Sequence, residues 1–212
     1  MIYKVAKTEK EFHGIYDLRA AFYKKLTSDL NNPHDVSASY MVERDERHIH
    51  LIAVEDEIVM GTLSICVPDA NGLLECERLF GVDLSRFKTG NDMELRKLGI
   101  RNCNKMSTLT MILCSLGFEF AASCNAGSIF NVSTKLEYNN RFYGKLGFHQ
   151  VADVKHVLND RIMRLDVQEV LASQMIIPFR RMVLDKYRDT FEQIQEEYRR
   201  IASSPRASLS VV

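Results

Sequence analysis

Glu94 stands in a strand-like run, "NDMELRKLGI", after which the polar turn "RNCNKM" leads into a helix expected to begin at Ser107. A carboxylate there can take a proton from a nucleophile. The helix start beside it offers unpaired backbone N–H groups and a positive dipole end, which suit phosphate or pyrophosphate oxygens. Together they would set a base beside an anion site. The turn carries Arg101 and Lys105 but no glycine, so the backbone has less freedom to approach a nucleotide diphosphate. Plain alternatives exist for each. Glu94 can be a solvent-facing strand residue paired with Arg96 or Lys97, and Arg101 and Lys105 can be ordinary loop charges. Cys103 is a candidate nucleophile, although no histidine is near it in sequence. His48 and His50 point to one face of a strand, but with no third ligand evident no metal site is expected.

These residues need a scaffold, and the composition allows one. A chain of 212 residues with 46% hydrophobic content can bury a sizeable core. Lys+Arg and Asp+Glu balance at 28 each, so no overall positive field draws nucleic acid or an anionic membrane. The start, "MIYKVAKTEKEF", lacks the apolar centre of a secretory signal, and no apolar run is long enough for a membrane span. A cytoplasmic protein is therefore expected. The five cysteines form no C-x-x-C pair, which argues against a disulfide framework or a zinc ribbon.

Along the chain, a short strand precedes Thr8 and Glu11, which have the form of a capping box opening a helix to about Ser28. A loop rich in turn residues follows, around "DLNNPHD". From His48 the period becomes two, predicting a hairpin around Glu55-Asp56-Glu57, with Gly61 marking a bulge. A short helical piece is expected near 73–80. The alternation around Glu94 slips phase at Lys97-Leu98-Gly99, which predicts a second bulge. The central helix buries Leu109, Ile112, Leu113, Leu116 and Phe120. A strand over 129–134, a short helix stopped by Gly147, two strands around Asn159-Asp160 and charged C-terminal helices complete the order. Helical character is expected beyond Gln168, with Pro178 as a break or first-turn residue.

This order, with "MELRKLGI" before the central helix and "RFYGKLGF" before the last strands, resembles the GNAT acyltransferase superfamily, in which an antiparallel sheet splits to admit a thioester donor. Tyr143-Gly144-Lys145-Leu146-Gly147-Phe148 is similar to its recurrent Y-x-K-x-G-F ending. "GTLSI" and Glu94-Leu95-Arg96-Lys97-Leu98 look most like the branch of N-acyl amino acid synthases and acyl-homoserine-lactone synthases. That branch also has an arginine followed by an aromatic on an early helix, as Arg19 and Phe22 stand here. The likeness spans about 16–151. Ser64 stands where the branch usually has arginine, and Arg96-Lys97 where it has serine-arginine. The chain lacks tryptophan, which favours an acyl amino acid product over a homoserine lactone.

The resemblance implies an α+β fold, with a mostly antiparallel mixed sheet flanked by helices. An acyltransferase domain over 1–166, a helical extension over 167–202 and a tail over 203–212 are expected. It implies aminolysis of a thioester, with Glu94 as base and Tyr143 as proton donor to the leaving thiolate. Arg101 and Lys105, with amides from Asn102, Asn104, Met106 and Ser107, would hold the donor's phosphate-bearing arm. Arg19, Phe22 and Lys97 would face the substrate. The branch resemblance implies a phosphopantetheine thioester as donor, an acyl carrier protein bearing a fatty acyl chain, with acyl-coenzyme A as the other source of the same thioester; no metal is expected, and the acceptor would be a small amine or amino acid. The alternatives are an acetyl-coenzyme A enzyme acting on a small amine or protein, and a catalytically silent domain whose charged C-terminal helix binds a partner.

Overall fold

The computed structural model describes residues 1–28, 47–101, 106–134, 137–158 and 161–203. Strand β1 (Ile2–Val5) is followed by helix α1 (Glu9–Ser28). The expected capping box is formed: the Thr8 amide donates to Glu11 Oε2 (2.9 Å), and the Glu11 amide donates to Thr8 Oγ1 (3.3 Å). The carboxyl of Glu11 is lowered to about 2: hydrogen bonds from Lys4 and the Lys7 and Thr8 amides outweigh the upward push of burial. Strands β2 (His48–Glu55) and β3 (Ile58–Cys66) make the acidic hairpin. Asp56 and Glu57 both take positive φ, 50° and 64°, as a two-residue turn of this hand requires.

After β3 come helix α2 (Glu75–Phe80), strand β4 (Asp92–Ile100), helix α3 (Met106–Ser123) and strand β5 (Ser128–Thr134). Helix α4 (Glu137–Lys145) stops at Gly147, whose φ of 95° is natural only to glycine. Strands β6 (His149–Leu158) and β7 (Arg161–Leu171) lead to helices α5 (Arg180–Lys186) and α6 (Arg188–Ser203). The helical character expected beyond Gln168 thus begins later: β7 runs on to Leu171, held by Ser128–Leu171 pairing with β5. The expected division after residue 166 falls inside this strand.

The strand order is β1-β2-β3-β4-β5-β7-β6, antiparallel throughout except for β4 and β5, which run parallel. Both faces are covered. On one, α3 and α6 pack on Ile49, Leu51, Leu63, Ile65, Met93 and Leu95. On the other, α1 covers Ile52 and Val59, while α2 lies over Phe130 and Val167. The slip between β2 and β3 leaves Met60 as the extra residue beside Gly61, where the bulge is expected. Gly61 also lets α3 approach, since a Cβ there would lie 2.4 Å from Leu109 Cδ2.

Candidate active site

Strand register alone gathers the polar residues. His48 stands opposite Cys66 and His50 opposite Ser64 across β2 and β3; Ser64 stands opposite Arg96 and Cys66 opposite Glu94 across β3 and β4. Alternation then puts these side chains on one sheet face. Helix α1 adds Arg19 from above and α2 adds Glu75, and all of these residues are buried.

Within this layer the contacts are close. Arg19 Nη2 donates to Ser64 Oγ (2.7 Å) and lies 3.3 Å from His50 Nδ1, which is 3.0 Å from the same hydroxyl. Glu75 is the hub: its carboxylate lies 2.7 Å from His48 Nε2, 3.2 Å from Arg96 Nη1 and 3.3 Å from Lys97 Nζ. Cys66 Sγ–H donates to it at 3.3 Å. Glu94 receives the Cys76 amide at 3.0 Å and lies 3.3 Å from Arg96 Nε. The Arg96 guanidinium in turn sits over the Phe80 ring, 5.4 Å from its centroid.

The two carboxylates are driven in opposite directions. Glu94 is fully buried, and burial raises its carboxyl above the usual carboxylate range despite Arg96. Burial also pushes Glu75 upward, but the His48 hydrogen bond and the charges of Arg96 and Lys97 more than reverse it, leaving that carboxyl lowered. His50 is held well below its ordinary value by burial and by Arg19. Of the two, Glu94 is the carboxyl that holds a proton more readily and Glu75 the one kept more readily as an anion among His48, Arg96 and Lys97.

The fold supplies the partners for His48 that spacing did not show. His48, Cys66 and Glu75 bring ligand atoms within 4.8 Å of one another, a set that could hold a metal ion. In the structure these atoms are engaged with one another and with their neighbours: Cys66 Sγ–H donates to Glu75, and Arg96 and Lys97 lie against the same carboxylate. The cluster reads as a hydrogen-bonded ion network.

The expected slip in β4 is present. Ser64 pairs with Arg96 and Thr62 with Gly99, so Lys97 and Leu98 together face one residue of β3, and Lys97 takes φ 56°. On the other side, β4 pairs with β5 only from Asp92–Ser128 to Leu95–Asn131 among the described residues, although both strands continue. The sheet opens there. On the α3 face the opening is lined by Leu95, Leu98, Cys114, Phe118, Tyr143 and Phe148. The Tyr143 ring meets Phe148 edge-on at 5.7 Å.

Glu94, Lys97 and Arg19 therefore share one face, and Tyr143 lies on the opposite, α3 face of the sheet beside the opening. Glu94 is not solvent-facing, although its pairing with Arg96 is real. The Arg101 side chain turns back, with Nε donating to Val59 O at 3.0 Å, and its amide donates to Met60 O at 2.8 Å. Asn102, Cys103, Asn104 and Lys105 lie outside the described residues, as do the side chains of Phe22, Met106 and Ser107. Glu75 and the His48–His50–Ser64 group are residues that spacing did not mark as a unit. The only signal for Glu75 was an acidic residue opening the short helix in "LLECERLF".

One parallel pair that parts midway, between antiparallel strands, decides the architecture. The fold is that of the GNAT acyltransferases. FeeM, an N-acyl amino acid synthase from uncultured soil microbes, superposes with a TM-score of 0.62 at 15% identity, covering 83% of this chain and 100% of FeeM. An aminoglycoside 6'-N-acetyltransferase solved with coenzyme A gives 0.55 at 13% identity, over 81% of this chain and 97% of the other. Spermidine N-acetyltransferase from Vibrio cholerae, in complex with coenzyme A and spermine, gives 0.53 at 11%, over 82% and 96%. No protein-family model and no curated protein sequence matches the chain.

Proposed function

We propose that this chain is an N-acyltransferase, moving an acyl group, in our reading a fatty acyl group, from a phosphopantetheine thioester to the amine of a small acceptor such as an amino acid. The observation that carries the proposal is Glu94: a fully buried carboxylate of raised proton affinity at the point where β4 parts from β5. An amine attacks only when neutral, and a base whose affinity approaches the working pH removes its proton most effectively. In the step proposed, the amine nitrogen bonds to the thioester carbonyl carbon as its proton passes to Glu94. The tetrahedral intermediate then collapses, the C–S bond breaks, and the thiolate takes a proton from Tyr143 beside the opening. Backbone N–H groups near the Lys97 bulge are the candidate donors to the oxyanion.

Support for an amino acid as acceptor comes from the likeness to FeeM, an N-acyl amino acid synthase. The longer acyl group rests on the resemblance of "GTLSI" and Glu94-Leu95-Arg96-Lys97-Leu98 to the N-acyl amino acid synthase branch. Either carrier protein or coenzyme A would present the same thioester arm.

Mass spectrometry of lipid extracts tests the proposal. Cells expressing the wild type should contain an N-acyl amine that is missing with Glu94→Gln, and the purified variant should lose turnover by a factor of roughly 100 or more. The wild-type rate should rise with pH through an inflection above the ordinary carboxylate value of 4.5, a limb that Glu94→Gln abolishes. Equal product from both proteins would exclude Glu94 as base. Thiol release from acetyl-coenzyme A with a small amine, without any lipid product, would replace the fatty acyl group by acetyl.

A further inference from the structure

The segment between β7 and α6 exposes apolar surface that the fold does not use. Ile176, Phe179, Met182 and Leu184 account for four of the nine large apolar side chains exposed among the described residues, and they fall within nine positions. Phe179 is the least expected of them. It is 53% exposed and takes φ 54°, the left-handed region, at the corner where the extended chain turns into α5. A bulky residue is disfavoured there, and glycine would fit without strain. Arg180, Arg181, Lys186 and Arg188 stand against Asp185 and Asp189 within 176–189, and since Arg180 pairs with Glu119 the positive surplus rests on Arg181, Lys186 and Arg188.

Around α5 the arrangement is ordered. Val183 points inward and is 1% exposed, so Met182 and Leu184 emerge on the two flanks, and Arg181 lies outermost. Three ties fix the segment to the body. Ser115 Oγ donates to Pro178 O, Ile176 N donates to Leu146 O at 3.2 Å, and Arg180 pairs with the buried Glu119. Ser115 is adjacent to Cys114, which lines the opening between β4 and β5. The exposed apolar tips are thus held on a rigid base, on the same helix that walls the split.

We propose that the 176–188 segment is a docking surface for an anionic lipid bilayer, with Phe179, Ile176 and Met182 entering the boundary between headgroups and acyl chains. Arg181, Lys186 and Arg188 remain at headgroup level. An exposed aromatic at the entry to α5, with exposed apolar neighbours and Arg181, Lys186 and Arg188 in the same segment, is the chemistry of a protein that lies on a membrane without crossing it. No helix among the described residues is long and apolar enough to cross one. The overall charge balance of the chain does not oppose this, because the local surplus of cations lies within a Debye length of the surface they would meet. The proposal does not depend on acyl transfer.

The test is flotation of the full chain with vesicles of phosphatidylcholine alone and of phosphatidylcholine mixed with phosphatidylglycerol. The chain should float with the mixed vesicles, less so with phosphatidylcholine alone, and added salt should weaken binding. Phe179→Gly should reduce retention by roughly tenfold while leaving the melting temperature unchanged or raised, because glycine relieves the backbone. Arg181→Glu with Lys186→Glu should reduce it by about tenfold or more without unfolding the chain. Absence of flotation with either vesicle, or equal flotation by wild type and both variants, overturns the proposal. Binding to a purified acidic carrier protein that is lost in the charge variant, with no vesicle binding, would assign the surface to that protein instead.

Discussion

At the scale of single residues, Glu94 and Glu75 make opposite demands on the fold. For Glu94 the folded state holds its proton more tightly than the unfolded chain, so stability falls as pH rises from 4.5 through the raised folded value. For Glu75 the folded state holds it less tightly. Its contribution is present above the unfolded value of 4.5 and is lost as pH falls through the lowered folded value. The isosteric amides should therefore separate. Glu94→Gln removes a buried charge whose partner, Arg96, keeps Glu75, so at neutral pH it should unfold at the same urea concentration as wild type or higher. Glu75→Gln leaves His48, Arg96 and Lys97 facing a neutral group and should cost about 3 kcal/mol. Urea melts at neutral pH check both. If Glu94→Gln proves the more damaging, Glu94 is a structural ion and not a destabilised base.

At the scale of elements, what was legible in the sequence depended on whether a local rule decided the outcome. Thr8 and Glu11 announce the start of α1, Gly147 the end of α4, and Lys97-Leu98-Gly99 the bulge in β4, each through chemistry contained within a few residues. The polar face of β2 to β4 was not legible in the same way. In "HIHLIAV" alternation showed only that the two histidines share a face, and in "MELRKL" it left a solvent-facing Glu94 open, because alternation reports polarity and cannot show that α1 and α2 will cover that face. Glu75 was hidden for the same reason, since its role comes from where α2 lands. Close packing between elements has a legible trace in Gly61. Replacing it with alanine puts a Cβ 2.4 Å from Leu109 and 2.9 Å from Ile100, so α3 must shift or β3 must bend. Gly61→Ala should cost about 1–3 kcal/mol, seen as a lower melting temperature with unchanged secondary structure. An unaltered melt would mean that α3 is free to move at that crossing.

For the whole molecule, the C-terminal helices are built into the sheet's edge. Among the described residues strand β1 pairs only with β2, and α6 meets its other side: Thr190 Oγ1 donates to Tyr3 O (2.6 Å), and Gln193 Oε1 accepts the Val5 amide (3.1 Å). Residues three apart on one helix face thus satisfy strand groups that an open edge would leave available for pairing with another chain. Val183, Ile194 and Ile201 are buried, Tyr187 meets Tyr3 edge-on at 4.9 Å, and Tyr198 meets Phe120 at 5.3 Å. Burying the three aliphatic side chains contributes roughly 5–9 kcal/mol, comparable with the total stability of about 5–15 kcal/mol typical of a domain. A chain ending at Pro178 should accordingly lose its cooperative thermal transition and near-ultraviolet circular dichroism, and it should associate through the uncovered β1. Were the helices instead a separable partner-binding module, the truncated chain would melt cooperatively as a monomer. The contacts of Tyr3, Val5 and Phe120 favour the first outcome, because truncation strips the cover from the sheet edge and the α3 core together.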